Sequence, residues 1–341
     1  MSIKPQHAEL LCDWVMRFKG LPVTVVGDLV TDEFVFGDIN RVSREAPVLI
    51  LDETRRVVAP GGAANSVANL CALGARPVPV GVIGQDEAGR GLVACLKTLG
   101  VRTTRLVRDK NYATPAKSRI LAGGIHTRRQ QVVRLDRGQA RGELSAPLRR
   151  KIESNLQASL AGSQGLLVAD YGFGAASPGK RLLSMAHKFA ATGMPVTIDS
   201  RGRVEQFVGL TVCSPNHEEL ESAVGGRPIG DRELNAAGKN LLRRSQNQAV
   251  LVTRGSKGMV LFERRKKPYP IAAYGPEEVA DVTGAGDTVI ATLTLALMAG
   301  ANLVDAAHLA NYAAGIAVQK MGTATVSPAE LRAAIEKDSS R

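Results

Sequence analysis

Short β-branched runs alternate with stretches of helical periodicity over most of this chain, and that alternation constrains the fold more than any other feature. The candidate strands are 21–28 (LPVTVVGD), 76–84 (RPVPVGVIG), 165–170 (GLLVAD), 194–199 (MPVTID), 210–216 (LTVCSPN) and 249–255 (AVLVTRG), each ending in a polar or glycine turn. Helical patterns cover 63–73, 87–99, 147–160, 178–191, 231–244, 285–298 and 303–319. A βαβα order of this kind specifies an α/β fold, a parallel sheet with crossover helices. Such sheets bind ligands beyond the carboxyl ends of their strands. Polar residues at those ends are therefore the first candidates for chemistry.

Two stretches break the rhythm. Residues 34–58 and 101–136 read as successive strands without helices (PVLILDE, RRVVAP, TTRLVRD, AKSRILAG, QQVVRLD), a small antiparallel sheet grown out of the large domain. The 341 residues, 44% of them hydrophobic, suffice for one large domain with such an appendage. The opening MSIKPQHAELLCDWVMRF mixes charge among its apolar positions and reads as an amphipathic helix, not a secretion signal. The longest apolar run, 289–300, is too short to span a bilayer, so a soluble protein with no membrane partner is expected. The polar C-terminus is expected to fray at EKDSSR.

A formal charge of +12 favours anionic partners. The basic residues lie in short scattered clusters (Arg128 with Arg129, 149–151, 264–267), and aromatics are 4% with no interleaving that would stack bases. Nucleic acid is therefore not expected as a partner. Cys12, Cys71, Cys95 and Cys213 lie far apart without a CxxC pair, which fits a reducing cytoplasm and indicates neither a zinc site nor a disulfide framework.

The sharpest motif is DVTGAGDTVIATLTLALMAG at 281–300. A helix beginning near Gly284 leaves backbone N–H groups unpaired, and small residues at Gly284, Ala285 and Gly286 let an anion such as phosphate approach them. Asp287 would hang beside that phosphate, placed to accept a proton from an attacking hydroxyl. An acid in a first helical turn is also stabilised by the helix dipole alone. PGGAANSVANLCALGA at 60–75 is a second small-residue helix entry, where Asn65 either hydrogen-bonds a polyol or sits in a tightly packed helix. In VVGDLVTDEF, Asp28 ends the first strand and Asp32 lies one helical turn on; the two acids bind sugar hydroxyls or cap a turn. Asn216 and Glu219 in SPNHEEL suit a hydrated Mg²⁺ carried with nucleotide phosphates, or equally a capping box. Thr253, Gly255, Ser256 and Lys257 in VTRGSKG offer donors to a nucleotide phosphate, or form a plain hairpin turn.

Together these motifs resemble the ribokinase-like (PfkB) carbohydrate kinases, whose signature pairs a Gly-Gly near the first helix, here Gly61 and Gly62, with D-x-x-G-A-G-D near the last. The resemblance spans roughly residues 20–330. It implies a three-layer α/β/α sandwich with a central, mostly parallel sheet and a small β-sheet lid, one kinase domain over 1–341 with lid segments at about 34–58 and 101–136. It implies ATP-dependent phosphorylation of a sugar with Asp287 as catalytic base and the Gly284–Gly286 amides as anion hole. Asn216 and Glu219 would organise Mg²⁺ through water, and Thr253, Gly255 and Lys257 would contact ATP. Asp28, Gly61, Gly62 and Asn65 would contact the sugar, Asp281 and Thr283 would hold a monovalent cation such as K⁺, and the lid would clasp a homodimer.

Within the family, DINRVSREAPVLILDE, VGVIGQDEAGRGL and the two helix entries look most like the kinase domain of bacterial heptose-phosphate kinases. That likeness implies phosphorylation of D-glycero-β-D-manno-heptose 7-phosphate at O1, on the way to lipopolysaccharide. Arg41, Lys117, Arg119 and Arg134, in or near the lid, are candidate partners of the substrate phosphate. The chain departs from these relatives at Phe173, where they usually carry lysine, and at Ser200 and Arg201, where they usually carry proline and lysine. The chain stops without the nucleotidyltransferase domain that some of them carry, so a stand-alone kinase is expected. Other readings are a PfkB kinase for ribose, fructose or a nucleoside, and a catalytically silent binding module.

Overall fold

The computed structural model describes residues 3–123, 129–138, 142–226, 230–276 and 280–340. Arg128 and part of the second strand-rich stretch lie outside the described residues. Helix α1 (Pro5–Met16) leads into β1 (Pro22–Gly27), then β2 (Leu29–Val42), β3 (Leu49–Gly62), α2 (Ala63–Ala72), β4 (Arg76–Gly84), α3 (Glu87–Thr98) and β5 (Leu106–Asp109). After β6 (Ala116–Gly123) and β7 (Gln130–Arg137), the chain continues through α4 (Ala146–Leu160), β8 (Gly165–Asp170), α5 (Lys180–Ala190), β9 (Val196–Ser200) and β10 (Val212–Cys213). It finishes with α6 (His217–Ala223), α7 (Leu234–Ser245), β11 (Ala249–Thr253), β12 (Met259–Glu263), β13 (Tyr269–Ile271), α8 (Ala285–Met298), α9 (Leu303–Ala317) and α10 (Pro328–Ser339).

The large sheet has the order β13-β12-β11-β10-β9-β8-β1-β4-β5. All neighbours from β11 to β5 run parallel; β12 and β13 are antiparallel. Side chains alternate across a strand, so each central strand feeds two cores. Val25, Leu167 and Leu251 pack with α1, α2, α8, α9 and α10 on one face, while Val26, Val168 and Val250 pack with α4, α5 and α7 on the other. The result is the three-layer α/β/α sandwich that the resemblance implied. Helix α8 is buried from Asp287 to Ala296, and its threonines stay dry by returning their hydroxyls to the helix: Thr292 to Thr288 O at 2.8 Å, Thr294 to Ile290 O at 2.6 Å.

The lid is a four-stranded sheet, β3-β2-β6-β7; its limits differ from the expected 34–58 and 101–136, and it is mixed instead of antiparallel, since β2 and β6 run parallel. Its hairpin strands start at Leu29 and end at Gly62, with register shifts after Phe36 and Ile39 keeping the ladder intact. PVLILDE and RRVVAP are one strand, not two. Asp32, expected one helical turn beyond Asp28, therefore lies in β2. TTRLVRD belongs to the large sheet instead: β5 pairs parallel with β4, sending Leu106 into one core and Val107 into the other. The C-terminus does not fray at Glu336. Helix α10 runs to Ser339, started by a Ser327–Glu330 capping box and pinned late by Tyr312 donating to Asp338 at 2.6 Å.

Candidate active site

Helix α8 begins at Gly284, which adopts φ +80°, a left-handed conformation that glycine enters without strain. A Cβ there would meet Asn65 Nδ2 at 2.4 Å, so the turn can lie against α2 only with glycine in that place. The Ala285 amide is used within the turn, donating to Val282 O at 3.2 Å. Among the described residues the amides of Gly284 and Gly286 have no acceptor, so the anion hole expected of Gly284–Gly286 reduces to those two.

Asp287 stands one step further and is 5% exposed. Its Oδ1 accepts from Ser66 Oγ at 2.9 Å and from the Tyr171 hydroxyl at 2.7 Å; its Oδ2 accepts from Asn65 Nδ2 at 2.8 Å. Burial raises its pKa, and the bonds from Tyr171, Asn65 and Ser66 pull it back down. Asn65 thus spends one amide N–H on Asp287, and Asn69 braces it by donating to its main-chain carbonyl at 3.0 Å.

Asp287 lies on a cavity of about 190 Å³ together with Asp32, Gly62, Tyr171, Thr283 and Gly284. Lys117, Arg119, Arg134 and Arg201 bring four cations to the same walls. Three of these cations are already paired: Arg119 with Asp32 at 2.7 Å, Lys117 with Asp136 at 3.0 Å and Arg134 with Asp136 at 2.9 Å. The Arg201 guanidinium has no hydrogen bond or ion pair among the described residues and lies 4.7 Å over the Tyr171 ring. Arg201 is exposed by surface area; partial desolvation opposes its charge, but Tyr171, Asp199, Asp287 and Glu219 hold its pKa above the ordinary value. Arg41 is exposed on the lid and does not line the cavity.

Asp28 does not line this cavity either. It is buried at the end of β1, where its carboxylate accepts from the amides of Tyr171 (2.9 Å), Phe173 (2.9 Å) and Ala175 (2.7 Å), fixing the loop after β8. Burial lifts its pKa to about 6 against the pull of those amides. Gly61 lies against the Asp32 carboxylate, 2.6 Å from where its Cβ would be, and Gly62 caps α2. Phe173 is core, and Ser200 donates to Asp170 at 2.7 Å.

Asn216 and Glu219 form the capping box of α6: Glu219 N donates to Asn216 Oδ1 at 2.8 Å, and Asn216 N to Glu219 Oε2 at 2.9 Å. One partner that the motif search did not name is Asp199, at the end of β9. It is 9% exposed, and its pKa is driven well up by burial and then by the charges of Glu219 and Asp287. Thr253 closes β11, and 255–257 form the turn of the β11–β12 hairpin, so the hairpin reading holds. Arg254 and Lys257 both bind Asp231, the latter at 3.1 Å, and line a larger cavity of about 660 Å³ with His217 and Glu218 of α6. Asp281 accepts from Thr283 N at 2.9 Å and Gly322 N at 3.0 Å.

The sequence profile of the pfkB family carbohydrate kinases matches residues 25–330. The chain belongs to that family. Among pfkB relatives, it is 41% identical over 309 residues to the bifunctional protein HldE of Geobacter sulfurreducens, covering 90% of this chain and 61% of that protein. It is 40% identical over 334 residues to the bifunctional protein HldE of Mesorhizobium japonicum, covering 97% and 65%. The chain thus spans less than two thirds of the length of these relatives. In architecture, phosphofructokinase-2 from Escherichia coli in complex with substrates and products superposes with a TM-score of 0.74 at 18% identity, covering 94% of this chain and all of that one. Ribokinase of Arabidopsis thaliana complexed with ribose and ATP gives 0.69 at 20%, covering 94% and 99%. Both share the ribokinase-like fold seen here. Among the described residues, no helix is long and apolar enough to cross a membrane.

Proposed function

We propose that this pfkB kinase transfers the γ-phosphoryl group of ATP to the anomeric hydroxyl of D-glycero-β-D-manno-heptose 7-phosphate. The observation that carries the chemistry is Asp287 beside two acceptor-free amides, on a cavity sized for a sugar. The choice of sugar rests on the motif resemblance and on sequence shared with the HldE proteins along at least 90% of the chain. In this reading the sugar sits under the lid, and the nucleotide lies along the larger cavity near Thr253, Gly255 and Lys257. Asp287 takes the hydroxyl proton during in-line attack, and the Gly284 and Gly286 amides hold the phosphoryl oxygens.

The residues present fit Mg²⁺. Asp199 is a buried carboxylate with no hydrogen-bond donor among the described residues, and Glu219 lies in its field. Asn216 Oδ1 and Glu219 Oε2 each accept one bond within the α6 cap and keep a lone pair, so Asp199, Glu219 and Asn216 would hold the ion through water, and it would neutralise nucleotide phosphate charge. The proposal includes K⁺ beside the Asp281–Thr283 turn, where each Asp281 oxygen keeps a lone pair after accepting one amide. It also includes a lid-to-lid homodimer, because Val133, Leu135 and Leu49 are about half exposed on the lid. We place the reaction in the cytoplasm, where the four free cysteines stay reduced.

A second reading, a kinase for an unphosphorylated sugar, is favoured by one observation. Lys117, Arg119 and Arg134 are already paired, two of them to the single carboxylate of Asp136, so a substrate phosphate must compete with Asp32 and Asp136 for them. A coupled ADP-release screen over heptose 7-phosphate, hexose phosphates, free hexoses, ribose and nucleosides decides between the two. Asp287→Asn is expected to lower kcat by about 10²–10⁴; normal turnover in that variant would overturn the assignment of the base.

A further inference from the structure

Asp287 is held by more donors than a base needs. A carboxylate oxygen offers about two lone-pair directions. Among the described residues, Oδ1 has both filled, by Ser66 and Tyr171, whereas Oδ2 has only Asn65. A proton can therefore be accepted without breaking an existing bond only at Oδ2. Of the donors on Oδ1, the Tyr171 hydroxyl is the shorter at 2.7 Å and the only one that does not come from α2.

Tyr171 is itself fixed at three points. Its amide donates to Asp28 at 2.9 Å, its ring is 6% exposed within the core, and the Arg201 guanidinium covers the ring face at 4.7 Å. Asp28, Tyr171 and Asp287 form a continuous chain from the end of β1, through the loop after β8, to the first turn of α8. That chain gives the Asp28 carboxylate a role in place of sugar binding: it holds the loop that carries the tyrosine.

We propose that Tyr171 is a positioning residue that saturates Oδ1 of Asp287, so that Oδ2 is the atom that receives the proton of the acceptor hydroxyl. This rests on Asp287 being the base. The sugar O–H bond breaks and its proton passes to Oδ2. The sugar oxygen bonds to the γ-phosphorus as the bond from phosphorus to the bridging oxygen breaks, and ADP leaves with that electron pair. Besides Tyr171, the charged and titratable groups around Asp287 are Asp199 and Arg201 from the end of β9, with Glu219 of α6 behind them; from α2 it meets only the neutral Asn65 and Ser66.

Tyr171→Phe tests this, since it keeps the ring and its packing and deletes only the donor. A bond to the ionised carboxylate favours the charged form, so its loss raises the pKa of Asp287 and moves the acid limb of kcat upward by about one pH unit. KM for the sugar stays within about twofold, and the lost rate returns as the pH is raised. An acid limb that does not move, in a protein whose Asp287→Asn variant is inactive, overturns the role of Tyr171 and spares the base. Turnover retained in Asp287→Asn overturns both. Thermal unfolding gives a readout independent of substrate: the Tm gap between wild type and Tyr171→Phe widens as pH rises through the titration of Asp287 and is flat in an Asp287→Asn background. A gap that is flat in both backgrounds also overturns the proposal.

Discussion

The guanidinium of Arg201 lies 4.7 Å over the ring of Tyr171, whose hydroxyl donates to Asp287. This stack puts a guanidinium without an ion pair among the described residues near Asp287 and within the field of Glu219. In the proposed reaction the phosphoryl group would pass between these groups, and a preorganised guanidinium would stabilise its negative charge. Arg201→Met should lower kcat/KM about 10- to 100-fold, the range for losing a charge-assisted hydrogen bond, and Arg201→Lys should recover only part of it. Steady-state kinetics check this, and a change below about twofold in Arg201→Met would show that the cation faces away from the reaction.

Gly284 couples backbone shape to the same base. Gly284→Ala puts a side chain at φ +80°, which costs about 1–2 kcal/mol. Its Cβ would also sit 2.4 Å from Asn65 Nδ2, so Asn65 has to retreat from Asp287. The expected outcome is a lowered Tm together with a kcat reduced about 10- to 100-fold through the displaced base. If Tm falls while kcat at a permissive temperature is untouched, the clash is absorbed without moving Asp287.

The layer architecture was legible because each strand is apolar on two faces and each crossover helix carries its own period, and the α8 entry was legible because glycine, alanine and aspartate in that order have few uses. Partners across long sequence distances were not. An acid at the end of β1 looks the same whether it faces a sugar or three amides 143 to 147 residues away, and only the loop after β8 decides. The charged DETRR inside β3 reads as a break, yet an exposed lid strand tolerates it because the ladder comes from the backbone. Tyr171 and Asp199 escaped attention although each ends or follows a strand, in ADYGFG and IDSRGR, so the strand-end rule that singled out Asp28 was sufficient to find them.

The stability of the C-terminal helix should depend on pH. Glu330 accepts from the Lys320 ammonium at 2.6 Å and from Ser327, and these bonds hold its pKa down at about 2. A carboxylate with a depressed folded-state pKa contributes stability that is fully present above its unfolded value, near 4.5, and is lost as pH falls toward 2. The side chain is 42% exposed, so solvent screening reduces the contribution to about 1 kcal/mol. Glu330→Gln should lower Tm by about 2 °C at neutral pH. That difference should vanish by about pH 2 to 3 in a melting series; a pH-independent difference would assign the loss to the helix cap alone.

Asp199 carries the prediction about the metal. Burial, and then the neighbouring charges of Glu219 and Asp287, push its pKa well up, so its ionised form is destabilised unless a cation offsets that charge. Asp199→Asn removes that repulsion, and the free protein should keep or raise its Tm. The same substitution removes a hard anionic oxygen, so the Mg²⁺ concentration for half-maximal rate should rise about tenfold or more. Stability gained as activity is lost is the pattern of a group kept for its ligand. A magnesium titration that superposes on the wild-type curve would leave Glu219 as the carboxylate to test next and remove Asp199 from the metal site.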